Sequence, residues 1–467
     1  MANSHQRADA GRAPGCPASS RADWPEFYPE TPRKNSAFRH RRRRPLRFAL
    51  VAAAGALAAL LTATPAAAVT LTIACGAVGI EVELCREGAA AWAARSGHHV
   101  ELVQTPALTN DRLGLFQQLL AARSPEIDVF QIDVVWPGIL GVHLADLRPL
   151  VPPEAVARHF AAIVENNTVA GELKALPWFT DVGLLYYRQD LLERYGEAVP
   201  ATWDALAAAA RRIVAAERAA GDARLTGLVF QGKAYEGLTC NALEWLAGNG
   251  GGLLHPDGRL ALTQPANVAA LERAAGWIGT IAGRGVLNYA EEEARGVFQA
   301  GHAVFMRNWP YAWPLVNAAG SPVRGRVGLA ALPRGPGGNS HPATLGGWNL
   351  AVSRYSRHPA LAADLVVHLT APPEQSRRAL KGGFLPTIPG LYEDPALLTT
   401  HPHLARIREV LRGAVARPSR VTGPHYNRLS HAVWRAVHDA LAGQAPADRA
   451  LADAQRRLER VSRGGRW

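Results

Sequence analysis

Four cysteines in 467 residues are too few to build a disulfide scaffold. Charge is also sparse, 19% of residues against a hydrophobic share of 48%. That balance excludes a highly charged disordered polymer and fits a chain with large buried cores. No apolar run reaches the ~20 residues that cross a bilayer. Neither a Gly-x-Ser-x-Gly elbow nor a Walker loop occurs, and Gly335-Pro-Gly-Gly338 reads as a turn, not a phosphate cradle. His98-His99 and His401-Pro-His403 stand without a clustered carboxylate or thiolate, so no metal site is expected.

The net charge of +12 suggests nucleic acid until its position is considered. Residues 1–68 carry eleven Lys and Arg against four Asp and Glu, a net +7, and the remainder has an ordinary balance. In that segment Arg39, Arg41 to Arg44 and Arg47 precede an apolar run, Phe48 to Leu61, and the small residues that end at Ala68. A basic stretch, a short apolar core and an Ala-x-Ala exit read as a secretory leader cleaved after about Ala68, with an uncleaved membrane anchor as the alternative. The protein is therefore expected outside the cytoplasm, where disulfides persist. Cys75 and Cys85 flank a strand-to-helix loop, and a short bridge between them or a free buried pair are both open readings. Cys16 leaves with the leader, and Cys240 reads as a lone buried thiol.

From Val69 to about Val352, strand and helix patterns alternate, which predicts a mainly parallel sheet covered on both faces. Strands are expected at Val69–Ala74, Val100–Gln104, Ile127–Ile132, Gly183–Tyr187, Gly227–Phe230, Ala303–Met306, Val327–Ala331 and Leu350–Val352. Asn110 is expected to cap one helix and Thr202 another, while Thr263 and Pro265 open a helix that runs to about Ile281. From Pro359 onward the pattern is almost wholly helical. Two βα series followed by late strands are compatible with interleaved lobes or with two sequential domains.

Aromatic placement carries the functional signal. Trp136, Trp178, Trp309, Trp313 and Trp348 fall at expected strand ends or in Pro/Gly-containing loops, where open α/β sheets bind ligands. A single such Trp reads as core; five together point to a ligand with flat apolar faces, such as a sugar ring. Carboxylates accompany them: Asp133 closes a strand, Asp181 follows Trp178, Glu236 follows Tyr235, and Glu81 lies in the first strand-to-helix loop. Charged oxygens accept strong hydrogen bonds from hydroxyls. The same acids near aromatics would also suit an exported glycoside hydrolase acting on α-glucosides, or could sit on a protein-interaction module.

Five stretches occur in one order: Gln131-Ile-Asp-Val-Val-Trp136, Leu184-Leu-Tyr-Tyr-Arg188, Gln231-Gly-Lys-Ala-Tyr-Glu-Gly237, Phe305-Met-Arg-Asn-Trp-Pro-Tyr-Ala-Trp313 and Thr344-Leu-Gly-Gly-Trp348. With them the chain resembles the extracellular solute-binding proteins of sugar ABC transporters, specifically the trehalose/maltose-binding group. The resemblance implies an α/β, two-lobed periplasmic binding protein fold of type II, with interleaved lobes, three hinge crossings and a helical C-terminal tail. After the leader (1–68), it divides the chain into an N-lobe of 69–178 plus 348–382 and a C-lobe of 179–347 plus 383–467. The crossings fall near Trp178–Val182, Gly346–Leu350 and Gly382–Thr387.

The resemblance places sugar contacts at Glu81, Asp133, Asp181, Glu236, Trp309, Tyr311, Gly347, Trp348 and Arg417, with Thr109 and Arg112 beside them. It implies a monomeric periplasmic protein without enzymatic activity, cofactor or nucleic-acid partner. Such a protein captures an α-linked disaccharide, trehalose- or maltose-like or sucrose, and delivers it to ABC permease subunits with their ATPase.

Overall fold

The computed structural model describes residues 67–463 and Trp467. Apart from Ala67 and Ala68, the leader lies outside the described residues, as does Cys16. The strands are β1 (Thr70–Ala74), β2 (His99–Val103), β3 (Val129–Asp133), a small hairpin of β4 (Thr168–Val169) and β5 (Glu172–Leu173), β6 (Leu176–Val182), β7 (Leu184–Arg188), β8 (Thr226–Val229), β9 (Ala303–Asn308), β10 (Val327–Ala330), β11 (Thr344–Val352) and β12 (Val415–Ala416). Beyond the hairpin they form two sheets. One runs β12-β11-β3-β1-β2 with β6 on the other edge of β11; the second runs β10-β7-β9-β8.

The sheets are mixed, which corrects the expectation of a mainly parallel one. β1 pairs in parallel with β2 and β3, but β11 is antiparallel to both β3 and β6. In the second sheet β8 and β9 are parallel, while β7 is antiparallel to β9 and β10. The reason is the path of the chain. β11 comes back into the first sheet from the second, so it enters against the direction of β1 and β3. Its opening Thr344–Trp348 stretch, hidden in the sequence by Gly346-Gly347, is strand as well.

The segments read as hinge crossings lie side by side. Thr180 on β6 pairs with Gly347 on β11, and the Thr180 N–H donates to the Leu385 carbonyl at 2.9 Å. Gly347 has φ +133°, and a Cβ there would lie 2.6 Å from the Phe179 carbonyl, so a side chain would part the two strands. β6 passes into β7 through Gly183 alone. A Cβ at that residue would sit 2.1 Å from Glu244 Oε1, so this crossing also needs glycine.

The longer helices include α1 (Glu81–Ser96), α2 (Thr109–Ala121), α3 (Trp203–Ala219), α4 (Glu236–Gly248), α5 (Pro265–Ala275), α6 (Glu291–Gln299), α7 (Pro359–Leu369), α8 (Pro372–Gly382), α9 (Tyr426–Leu441) and α10 (Ala447–Ser462). α7 and α8 pack on α1, whereas α9 and α10 pack on one another and on α4 and α5. Late helices thus join both lobes. Leu71, Ile73, Trp92, Leu350 and Val366 belong to the core of the first lobe. Tyr186, Ile213, Phe230, Trp245 and Trp277 belong to that of the second.

Thr202 caps α3 as expected, its hydroxyl accepting from the Ala205 N–H at 3.2 Å. Asn110 does not cap α2. That helix already begins at Thr109, and the Asn110 amide oxygen instead accepts the Glu236 N–H at 2.9 Å. α5 stops at Ala275, short of Ile281, because Gly276 leads into a series of tight turns.

Candidate ligand-binding cleft

β1 leads through a Gly-containing loop into α1, and the Cys75–Cys85 disulfide ties the loop to the helix, with 6.5 Å between Cα atoms. Glu81 is the first residue of that helix, not a loop residue. Its Oε2 accepts the Ala77 and Val78 N–H groups at 2.8 and 3.4 Å, and its Oε1 accepts from Gln131 Nε2 at 2.7 Å. Gln131 Oε1 in turn accepts the Gly76 N–H at 2.6 Å. Three charge-assisted bonds hold the carboxylate in place before any ligand arrives.

Asp133 ends β3 and Glu236 begins α4, so each projects where a strand or helix opens onto the cleft. Arg417, just beyond β12, donates to Asp133 Oδ1 and to Glu236 Oε1, each at 2.7 Å. Tyr426 and Ser430 on α9 donate to Glu236 as well. Arg417 is therefore a buried cation joining the first sheet to a helix of the second lobe. Burial pushes the Glu236 carboxyl up, against the pull of Arg417.

Asp181 on β6 has no such partner. It is 8% exposed, and its Oδ1 makes no hydrogen bond. Burial, reinforced by Glu81 and then Asp133, raises it well above the usual carboxylate range. Arg112 on α2 donates Nε to the Pro106 carbonyl at 3.1 Å and leaves Nη1 unpartnered. Its guanidinium lies 4.5 Å from the Trp348 ring centroid. Burial lowers its pKa, although Glu81, Asp133 and Glu291 favour the charged form.

Trp309 follows β9 and Trp348 lies within β11. The Arg307 guanidinium sits 3.9 Å from the Trp309 ring centroid, and Trp309 Nε1 donates to Glu291 at 3.4 Å. Trp348 meets Trp136 edge-on at 5.5 Å. Tyr311 donates to Glu292 at 2.6 Å. The indoles are thus fixed by cation–π and edge-to-face contacts instead of being free to swing.

All eleven residues singled out from the sequence line a single cavity of about 680 Å³, its mouth included. Three of the five strand-end tryptophans do not. Trp178 lies inside β6 and is fully buried, Trp136 is buried behind Trp348, and Trp313 lies off the cavity. Phe179, Cys240, Glu291 and Phe384 line it without having been singled out. Glu291 opens α6 in an acidic triplet that looks like any charge-favoured helix start. Burial pushes the Cys240 thiol up to about 12, so it stays protonated. Among the described residues, no group of three His, Cys, Asp or Glu is placed to hold a metal.

Residues 85–376 match the bacterial extracellular solute-binding protein family. This chain belongs to that family. As a solute-binding protein it acts outside the cytoplasm, and it holds its solute without transforming it. A Deinococcus radiodurans protein described as a probable ABC transporter-binding protein is 49% identical over 415 residues, covering 88% of this chain and 98% of its own length. The maltose-bound MalE3 structure from T. maritima superposes on this solute-binding protein with a TM-score of 0.80 at 37% identity, covering 84% of this chain and all of that one. A solute-binding protein from Thermotoga lettingae TMO, solved with α-D-tagatose, has a TM-score of 0.76 at 23% identity over 84% of this chain and 99% of its own. At that identity it shows the shared two-lobed type II fold alone.

The Asp181 geometry has a measurable consequence. A raised folded-state pKa favours folding below the ordinary carboxylate range, and that stabilisation is lost as pH rises through the elevated value. Thermal melts of the empty protein should therefore show a decline over this interval. Asp181→Asn should flatten it and leave the empty protein more stable at neutral pH, because an amide is buried without either a charge or a proton uptake on folding.

Proposed function

We propose that this solute-binding protein is the capture component of an ABC sugar importer and that its cavity takes an α-linked disaccharide, trehalose- or maltose-like, with sucrose the nearest variant. One observation carries the reading. Trp309 and Trp348 line the same cavity as three buried polar atoms without a protein partner, Asp181 Oδ1, Arg112 Nη1 and Arg417 Nε. Each unpartnered atom costs about 1–3 kcal/mol. A sugar hydroxyl both donates and accepts, so one ligand satisfies the carboxylate and the guanidinium groups together.

Sugar C–H faces stack on the two indoles and Tyr311 supports them, each ring contributing about 0.5–1.5 kcal/mol. Asp133, Glu236 and Glu81 accept hydroxyls, Arg112 and Arg417 donate, and Thr109 and Gly347 shape the wall. Charged hydrogen bonds add about 1.5–3 kcal/mol each. Association costs absorb part of that sum, giving a micromolar or tighter complex.

The N-lobe (69–178 plus 348–382) and the C-lobe (179–347 plus 383–467) close over the sugar, and the closed form is what the permease with its ATPase accepts. The protein works as a periplasmic monomer freed from its leader after about Ala68. A thermal-shift panel of trehalose, maltose, sucrose and polyols tests this reading. One α-linked disaccharide should give the largest upward shift, with no glucose released. A flat response to every disaccharide, or a larger shift with a polyol, contradicts it.

A further inference from the structure

Arg378, on α8, is 1% exposed, and none of its three guanidinium nitrogens has a hydrogen-bond partner among the described residues. Aromatic faces stand in their place. The guanidinium lies 3.7 Å from the Trp178 ring centroid, 4.6 Å from that of Phe384 and 5.1 Å from that of Phe179. Burial pulls its pKa down to about 9, opposed most strongly by Glu81 and also by Glu374 and Asp181, so the group stays charged at neutral pH. A methionine would fill much the same space on the rings without burying an unpaired cation. Stability therefore does not account for the guanidinium.

Two of its three rings open onto the cleft. Phe179 and Phe384 line the cavity, with 4.7 Å between their ring centroids. They come from different crossing segments: Phe179 from β6, opposite Trp348 in the strand register, and Phe384 from the stretch that leaves α8. One buried cation thus grips a ring from each of two crossings. We propose that Arg378 is a positioning residue of the ligand site, holding Phe179 and Phe384 in place as a third apolar face of the cleft. The guanidinium touches no ligand itself; it acts through the two phenyl rings, while its charge offsets the carboxylates of Glu81 and Asp181. The inference rests on the sugar reading of the cleft and adds a face to those of Trp309 and Trp348.

Calorimetry with trehalose and maltose, together with thermal melts of the empty protein, tests this on wild type, Arg378→Met, Phe384→Leu and the double variant. Arg378→Met should melt at or above the wild-type temperature yet bind sugar about tenfold more weakly. Phe384→Leu should lose a similar factor. The double variant should lose little more than either single one, because both changes release the same face. Losses that multiply in the double variant, or wild-type affinity in either single variant, overturn the positioning role and leave the reading of the cleft intact. So does an Arg378→Met protein that melts below the wild type, since the cation then serves the fold. Absence of binding to either sugar in the wild type overturns the reading of the cleft, and the positioning role with it.

Discussion

Replacing Arg417 with methionine should abolish measurable ligand binding and lower the stability of the empty protein by about 3–5 kcal/mol, the usual cost of removing one partner from a buried ion pair. Methionine fills much the same volume, so the loss reports charge, not a cavity. Without the guanidinium, Glu236 keeps Tyr426 and Ser430, while Asp133 Oδ1 keeps only the Val135 N–H at 3.1 Å. Two buried carboxylates then oppose one another without a cation. Both favour protonation in that state, so the deficit should be largest near neutral pH and shrink toward acid. Urea unfolding at several pH values reads the stability and calorimetry reads the binding. A variant that keeps normal affinity would remove Arg417 from the site.

Arg307→Met should cost a comparable amount for a different reason. Arg307 and Glu244 have side chains 1% and 0% exposed. The guanidinium donates to both Glu244 oxygens, at 2.9 Å from Nε, and to Gln231 Oε1 at 3.2 Å. Removing it strands a buried carboxylate, for about 3–5 kcal/mol. Replacing both partners, Arg307→Met with Glu244→Leu, should recover most of that stability. It should not recover affinity, because the guanidinium that backs the Trp309 ring at 3.9 Å is still missing. Chemical denaturation and calorimetry on the single and double variants separate the two roles. Full affinity in the double variant would show that Trp309 needs no backing.

Much of this was legible in the sequence because periodicity and strand-end placement are local properties. Thr202 before an amphipathic run announces a cap, and Asp133 at the end of an apolar strand announces a carboxylate at the ligand-binding end of the sheet. Spatial neighbours far apart in the chain were not legible from pattern alone. Asn110 looks like a cap, yet its amide oxygen is spent on Glu236, 126 residues away. Trp136 and Trp178 have the same sequence setting as Trp348, but they face the protein interior instead of the cleft. Alternation also says nothing of direction, which is why β11 and its antiparallel partners were misjudged. The resemblance to sugar-binding relatives supplied Gly347, Tyr311 and Arg417, which no local rule would single out.

The account depends on the two indoles presenting flat faces to a carbohydrate beside buried acids. Titration of trehalose and maltose into the wild-type protein and into Trp348→Ala by calorimetry tests this most directly. The account predicts saturable binding of at least one of these sugars and an affinity at least about tenfold weaker in the variant, the equivalent of about 1.4 kcal/mol for one lost stacking face. Equal affinity in both proteins would contradict it.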